Sequence, residues 1–271
     1  MGIKFYPTHT LLLRRTTTAA RAIQEPVPNL YARAVEVKYT PSSKLAMNKD
    51  TPLDNPVWAA LNGRQAKFAI KGNNVLKYRP DIFVMAGIPD TSKTTIKNLS
   101  DLIQKGGYVG LMGFKINMEP YFKQVFGVQA YQMVTDRIPE YKAREYVELS
   151  KVDSPEIAEL VKLTEPGPYA PNVLELGKYI GIREEGKLVA MVGERIKLDG
   201  YTEISLVCTH PEHRGKGYAK SLSGIIIEEI INRGEMPFLQ VMTHNIPAYN
   251  LYEKLGFKTR VEYPITVYNR L

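Results

Sequence analysis

The sequence has few of the residues that assign a chain to a specialised class. Cys208 is the single cysteine among 271 residues, so no disulfide can form within the chain, which suits a reducing compartment. The same scarcity argues against a cysteine-based zinc site. No run of about 18 apolar residues occurs, so no segment is expected to span a membrane. These absences leave an ordinary folded protein, and we expect it to be cytoplasmic.

The bulk composition predicts a folded core. Apolar residues make up 44% of the chain and charged residues 24%, which is typical of globular proteins and not of disordered ones. A length of 271 residues favours two compact units over one.

The net charge of +8 is concentrated at the start of the chain. Residues 1–50 carry eight Lys or Arg and three acids, a net +5, which leaves +3 for the other 221 residues. A basic tail is weaker support for nucleic-acid binding than a basic folded face, so that function stays a minor alternative. No acid precedes Glu25, a composition found in organelle transit peptides. Residues 1–45 are therefore predicted to be a basic arm or a leader, and a leader would make the protein organellar.

Residues 46–138 predict an α+β domain without a catalytic motif. A helical pattern starts at Asn55, a helix is predicted over 95–107, and strands are predicted over 81–88, 108–114 and 129–136. The loose glycine series in this region is interpreted as turns and not as a ligand loop.

Residues 139–271 predict a second unit, in which strands and helices follow each other closely. Ser154 is a candidate helix N-cap, and the Glu185-Gly186 pair between two strand patterns predicts a hairpin. A strand over 202–209 leads into a long helix that stops at Gly234, and the last strand pattern is expected to break at Pro264.

The segment "HPEHRGKGYAKS", residues 210–221, places glycine and positive charge at the start of that helix. A helix N-terminus exposes unpaired N–H groups and partial positive charge, so it binds phosphate readily. A Walker loop does not occur in the sequence, and the dinucleotide fingerprint would need glycine where Lys220 stands.

Two motifs in this region resemble those of the GNAT superfamily of acyl-CoA-dependent N-acyltransferases. The first has the form Arg-x-x-Gly-x-Gly/Ala, at Arg214, Gly217 and Ala219. The second is "NIPAYNLYEKLGF", residues 245–257, one predicted strand further on. The resemblance covers about residues 140 to 271 and implies a mixed, mostly antiparallel sheet flanked by helices. Phrases such as "LVKLTEPGPY" and "GERIKL" look like a subgroup that resembles glycine N-acyltransferase, whose upstream α+β half is degenerate and lacks the cofactor motif.

The resemblance implies acetyl-CoA as co-substrate, with its diphosphate on the basic turn and its pantetheine arm along the preceding strand. The cofactor-binding residues that it implies are Val207, Thr209, Arg214, Gly215, Lys216, Gly217, Tyr218, Ala219, Asn245 and Tyr249. Helix capping alone would also explain Asn245.

The resemblance also implies two catalytic residues. Glu203 matches the position of a glutamate general base, and its alternative is a solvated edge-strand carboxylate. Tyr252 matches a tyrosine that acts as general acid near the cofactor sulfur, and its alternative is a packed aromatic ring. Strand alternation places Glu203, Ser205 and Val207 on one face and Cys208 on the other, unless a bulge reverses the assignment.

The predicted function is transfer of an acetyl group to a primary amine of a small molecule or amino acid. Four residues are candidates for lining the acceptor site: Tyr169, Asn172, Glu194 and Tyr263. His210, His213 and His244 lack carboxylate or cysteine partners at ligand spacing, so no metal is expected. A non-catalytic acyl-CoA-binding regulatory module and transfer of a longer acyl group remain alternatives, and a homodimer is left open.

Overall fold

The computed structural model of the protein describes residues 51–271, so the predicted basic arm lies outside the described residues. The helices are α1 (Pro56–Asn62), α2 (Lys93–Leu102), α3 (Ser154–Thr164), α4 (Tyr218–Asn232) and α5 (Ile246–Lys254). The strands are β1 (Ala69–Lys71), β2 (Leu76–Tyr78), β3 (Ala86–Gly87), β4 (Tyr108–Met112), β5 (Phe122–Val134), β6 (Val147–Glu148), β7 (Tyr179–Glu184), β8 (Lys187–Leu198), β9 (Tyr201–Thr209), β10 (Met236–Met242) and β11 (Lys258–Arg270). No helix among these residues is long and apolar enough to cross a bilayer.

One eight-stranded sheet forms the centre of the molecule, in the order β4-β11-β5-β10-β9-β8-β7-β6. Every neighbouring pair is antiparallel except β9 and β10, which are parallel. Apolar side chains of α1 and α3 pack in the cluster on one face, and those of α4 and α5 pack in the cluster on the other. This architecture confirms the predicted α+β class with a mostly antiparallel sheet flanked by helices.

The sheet continues across the boundary predicted at residue 138. β5 lies between β10 and β11 and pairs with both, so strands from the two halves of the chain share one set of backbone hydrogen bonds. A separate three-stranded sheet, β1-β2-β3, belongs to the N-terminal half. The division into two domains stays a prediction.

Local turn chemistry is as the sequence indicates at two places. Glu185 and Gly186 have φ of 50° and 80°, the left-handed pair that a two-residue hairpin turn requires between β7 and β8. Gly234, with φ of 77°, follows the C-terminus of α4.

Three local expectations were wrong. The apolar run 81–88 forms only the two-residue strand β3, because Ile82 and Phe83 reach the core from a turn. α3 begins at Ser154, with Asp153 in the capping position. β11 passes through Pro264 without a break: the Pro264 carbonyl faces Gly113, just beyond the end of β4, so the missing N–H costs no ladder bond.

Candidate active site

The site begins where β9 separates from β10. The two strands pair only from Tyr201–Glu203 to Met236–Phe238, although β9 continues to Thr209 and β10 to Met242. Beyond this point each strand keeps its outer neighbour, β8 for β9 and β5 for β10. The facing edges therefore open into a cleft whose backbone groups have no partner in the sheet.

A cavity of about 770 Å³ extends through this cleft. Its walls include residues 204–207 of β9, residues 240–242 of β10, the turn before α4, and the start and inner face of α5. The sheet geometry thus brings the two motifs of the sequence to one cavity.

A β-bulge shapes the β9 wall. Leu206 has φ of 50°, and the register opposite β8 shifts between Ser205 and Cys208. Side chains beyond the bulge therefore change face, so Leu206 and Cys208 pack with the cluster that contains Phe238, while Val207 packs with Ile204. The expected alternation was wrong beyond Ser205, and Cys208 lies on the face of Glu203. Burial raises the pKa of the Cys208 thiol to about 12.

The turn before α4 has the geometry of an anion site. Gly215 and Gly217 have φ of 78° and 81°, a conformation that glycine adopts without steric cost. A Cβ built on either glycine meets no atom within 4 Å, so the space in front of the turn is open. Gly217 occupies the N-cap position of α4 and offers no side chain to its first N–H groups. Both glycines line the cavity, as do residues 218–220.

The basic side chains of this turn differ in their contacts. Arg214 lines the cavity. The Lys216 ammonium lies 2.9 Å from a carboxylate oxygen of Glu184, which also lies 2.8 Å from the His213 ring. In this arrangement Lys216 does not line the cavity.

The second motif contributes Asn245 and Tyr252 to the cavity wall. The Asn245 side chain accepts a hydrogen bond from the Ala248 N–H at 3.2 Å, so it caps α5. Tyr252, seven residues later on the same helix, is buried, and its ring makes an edge contact with Phe257. Burial, followed by the nearby Cys208 sulfur, raises the pKa of the Tyr252 hydroxyl above its usual value, so the group keeps its proton at neutral pH.

Tyr249 is separated from the other cofactor candidates. It does not lie on the cavity wall: its ring packs against Tyr131, and its hydroxyl lies 3.3 Å from the Thr259 hydroxyl.

Glu203 lies at the last paired position of β9, opposite Phe238. Its carboxylate accepts two hydrogen bonds of 2.9 Å from the Arg195 guanidinium and one of 3.2 Å from the Ile196 N–H. Burial alone would lower the pKa of Arg195, but the charge and hydrogen bonds of Glu203 hold it above its usual value. Arg195 borders the cavity and Glu203 does not, so the Glu203 carboxylate contacts Arg195 and does not itself line the cleft.

The structure does not bring the four acceptor-site candidates to the cavity wall. Asn172 bonds Asp81, while buried Glu194 pairs with Lys197 and Arg233. Tyr263 is buried near Gln132, and Tyr169 packs against the cluster around α3. Polar partners hold Asn172, Glu194 and Tyr263 in these places, and sequence patterns do not predict such contacts.

Sequence reasoning missed two residues of the cleft, Arg195 and Gln240. Both carboxamide atoms of Gln240 are buried without a hydrogen bond of good geometry, although the Tyr263 hydroxyl lies nearby. Among residues 51–271, no group of three His, Cys, Asp or Glu side chains is arranged to hold a metal ion.

Comparison with known proteins gives the class to which this fold and cavity belong. Residues 179–265 match the FR47-like protein family. A crystal structure from Novosphingobium aromaticivorans, assigned to the GNAT family of acetyltransferases, superposes with a TM-score of 0.76 and 32% identity. The match covers 82% of this chain and all of that one.

Two further matches are more limited. The uncharacterised N-acetyltransferase YobR of Bacillus subtilis is 43% identical over 61 residues, which span 22% of this chain and only a quarter of YobR. A GCN5-related N-acetyltransferase from Kribbella flavida shares the fold, with a TM-score of 0.52 and 15% identity over 79% of this chain and 95% of that one. The class of protein is therefore a GNAT-type acyltransferase. The similarity to the Novosphingobium protein over its entire length shows that this chain belongs to the GNAT family.

Proposed function

We propose that the protein transfers an acetyl group from acetyl-CoA to a primary amine of a small molecule or amino acid. Both reactants would bind together in the cavity, and the amine would attack the thioester directly. The observation that carries this proposal is the meeting of three features on one cavity: the open glycine turn, the unpaired edge of β9 and Tyr252.

The turn before α4 fits the diphosphate of coenzyme A. The first N–H groups of α4, from residues 218–220, have no capping side chain and face open space left by Gly215 and Gly217. Together with the helix dipole and the Arg214 guanidinium, they would hold two phosphate groups.

The unpaired edge of β9 fits the pantetheine arm. A ligand with two amides can add to such an edge as a further strand would, here at Val207 and Thr209. The Thr209 hydroxyl is buried without a hydrogen-bond partner among the described residues and lies on the cavity wall. An orphaned hydroxyl at this position supports a polar ligand in the cleft. Asn245 already caps α5 and could contact the arm at the same time.

Tyr252 is the proposed general acid. Acetyl-CoA supplies a thioester carbonyl, and its sulfur leaves as a thiolate when the C–S bond breaks after attack by the amine. The Tyr252 hydroxyl keeps its proton at neutral pH and lies on the wall of the cavity, where it can protonate that sulfur. The attacking nitrogen loses one proton as the amide forms, and that proton would restore the Tyr252 hydroxyl, so the transfer balances.

Glu203 as the general base stays a prediction. Its carboxylate is held by Arg195 and the Ile196 N–H and lies off the cavity wall, so any proton transfer from the amine would need a relay. The bidentate contact equally suits a positioning role, in which Glu203 fixes the Arg195 guanidinium at the end of the cleft.

Binding and turnover of the full-length protein test the proposal. Acetyl-CoA should raise the melting temperature, and free thiol should appear when an amine is added. Binding without thiol release from any amine would favour the non-catalytic regulatory module. Release only with longer acyl-CoA would favour the alternative donor. The same assay with glycine as acceptor tests the resemblance to glycine N-acyltransferase.

A further inference from the structure

The far side of the cleft is an apolar chamber built by the N-terminal half of the chain and by β11. Its floor is formed by Met112, Phe126, Val128, Ala130, Ile265 and Val267, which all line the cavity. Positions 126, 128 and 130 alternate along β5, so their side chains share one face of the sheet.

The pairing register makes this floor continuous. Ile265 of β11 lies opposite Val128 of β5 and opposite Met112 of β4, while Val267 lies opposite Phe126. Cross-strand neighbours are close enough to pack side by side. The register therefore creates a hydrophobic surface that spans three strands.

The charged residues of the cavity wall give the floor no free cation, since Glu165 is acidic and the basic residues are paired or lie elsewhere. Arg195 is the basic residue that borders the chamber, and Glu203 satisfies its guanidinium with two hydrogen bonds. The other basic residues of the cavity wall, His213, Arg214, Lys220 and Lys254, belong to the turn, α4 and α5 on the cofactor side. A carboxylate buried against the floor would thus lack a free cation, which is unfavourable.

Gln240 supplies the polar group in this region. It projects from β10 into the cavity wall, and neither its amide nitrogen nor its carbonyl oxygen makes a hydrogen bond of good geometry. Beyond the nearby Tyr263 hydroxyl, this carboxamide has hydrogen-bonding capacity that no described residue uses, and a ligand in the cavity can satisfy it.

We propose that the chamber binds an uncharged apolar group, aliphatic or aromatic, that presents one hydrogen-bonding group to Gln240. This inference rests on the proposed function and narrows its substrate class: free amino acids are poor acceptors, and an apolar amine or the extended acyl chain of the donor occupies the chamber. Each methylene buried on the floor should improve kcat/KM about fourfold until the space is filled.

Turnover by the full-length protein shows whether the acceptor amine or the acyl chain of the donor occupies the chamber. Phenethylamine and hexylamine are compared with glycine and with phenylalanine, using acetyl-CoA, and hexanoyl-CoA is compared with acetyl-CoA, using ethylamine. Preference for the apolar amines places the acceptor in the chamber, and preference for hexanoyl-CoA places the acyl chain there. Faster turnover of the carboxylated acceptors, or no gain from any apolar group, overturns the inference.

Two variants test whether the chamber is the cause of a preference for apolar substrates. Ala130→Leu should reduce the advantage of the apolar substrate at least tenfold, while melting-temperature shifts with coenzyme A stay as in the wild type. Tyramine presents a hydroxyl that can bond Gln240, so the wild type should turn it over faster than phenethylamine. Gln240→Met keeps the side-chain volume and should abolish that preference. If coenzyme A does not shift the melting temperature of the wild type, the proposed function fails. If coenzyme A does shift it but apolar substrates are not preferred, only the inference about the chamber fails.

Discussion

Glu203 and Arg195 form a bidentate ion pair at the point where β9 and β10 stop pairing. The guanidinium Nε and Nη2 each lie 2.9 Å from a carboxylate oxygen, and the Arg195 guanidinium stacks over the Phe83 ring at 4.4 Å. Phe83 comes from the N-terminal half, so the pair connects that half to the end of the cleft.

Removing one partner of this pair should be costly. Glu203→Gln leaves a buried guanidinium without its counter-charge, and we expect a loss of about 3 to 5 kcal/mol in the free energy of unfolding. Arg195→Met with Glu203→Leu removes both charges and should recover most of that loss. Urea unfolding measures both values, with Asp101→Asn in the exposed pair with Lys97 as the control.

The pH dependence of the same variant separates the two roles of Glu203. If Glu203 is the base, Glu203→Gln should remove the acidic limb of the kcat/KM profile. If Glu203 only positions Arg195, the limb persists at a lower rate. Wild-type activity in Glu203→Gln at every pH would contradict both roles.

Tyr252→Phe should lower kcat about 100-fold and leave the affinity for coenzyme A unchanged, because it removes one hydroxyl from the cavity wall. Tyr249→Phe is the matched control: this tyrosine lies on the same helix, but its hydroxyl is beside Thr259 and off the cavity wall. Steady-state kinetics and calorimetric titration measure the two effects. Similar kcat losses in the two variants would contradict the acid role.

Gly217→Ala should weaken coenzyme A binding at least tenfold. Alanine is strained by about 1 to 2 kcal/mol at a left-handed position, and its methyl group would occupy the open space in front of the α4 N-terminus. Gly186→Ala, at φ of 80° in the β7–β8 hairpin, introduces comparable strain away from the cavity. An equal loss of coenzyme A affinity in the two variants would show that backbone strain, and not the position of the methyl group in the site, weakens binding.

Cys208 should make stability depend on alkaline pH. Burial raises the pKa of its thiol from 9.0 in the unfolded chain to about 12, so the folded state favours the protonated form. The resulting stability is fully present below about pH 9 and is lost as pH rises toward 12. The difference in unfolding free energy between wild type and Cys208→Ala should be constant below pH 9 and shrink above it. If this difference in unfolding free energy grew as pH rose above 9, the prediction would be contradicted.

The sequence predicts those parts of the site that local chemistry determines. Gly215 and Gly217 mark the turn before α4, an apolar stripe follows along α4, and Asn245 caps α5 as expected. These features depend on neighbouring residues, and so they can be read from short segments.

Long-range pairing determines the rest. The bulge at Leu206 follows from the register against β8, and it reversed the expected face of Cys208. The chamber floor depends on β4 and β5 joining β11, and the paired floor residues lie more than 130 positions apart in sequence. The acceptor-site candidate Glu194 forms ion pairs with Lys197 and Arg233 and does not line the cavity, an arrangement that its sequence neighbours do not predict.

A crystal structure of the protein crystallised with coenzyme A would show directly whether the cofactor binds in the cleft between β9 and β10. We expect diphosphate oxygens within hydrogen-bond distance of the backbone N–H groups of residues 218–220, with the pantetheine amides along β9 at Val207 and Thr209. A diphosphate bound away from the α4 N-terminus, or a cleft between β9 and β10 closed by side chains, would contradict this expectation.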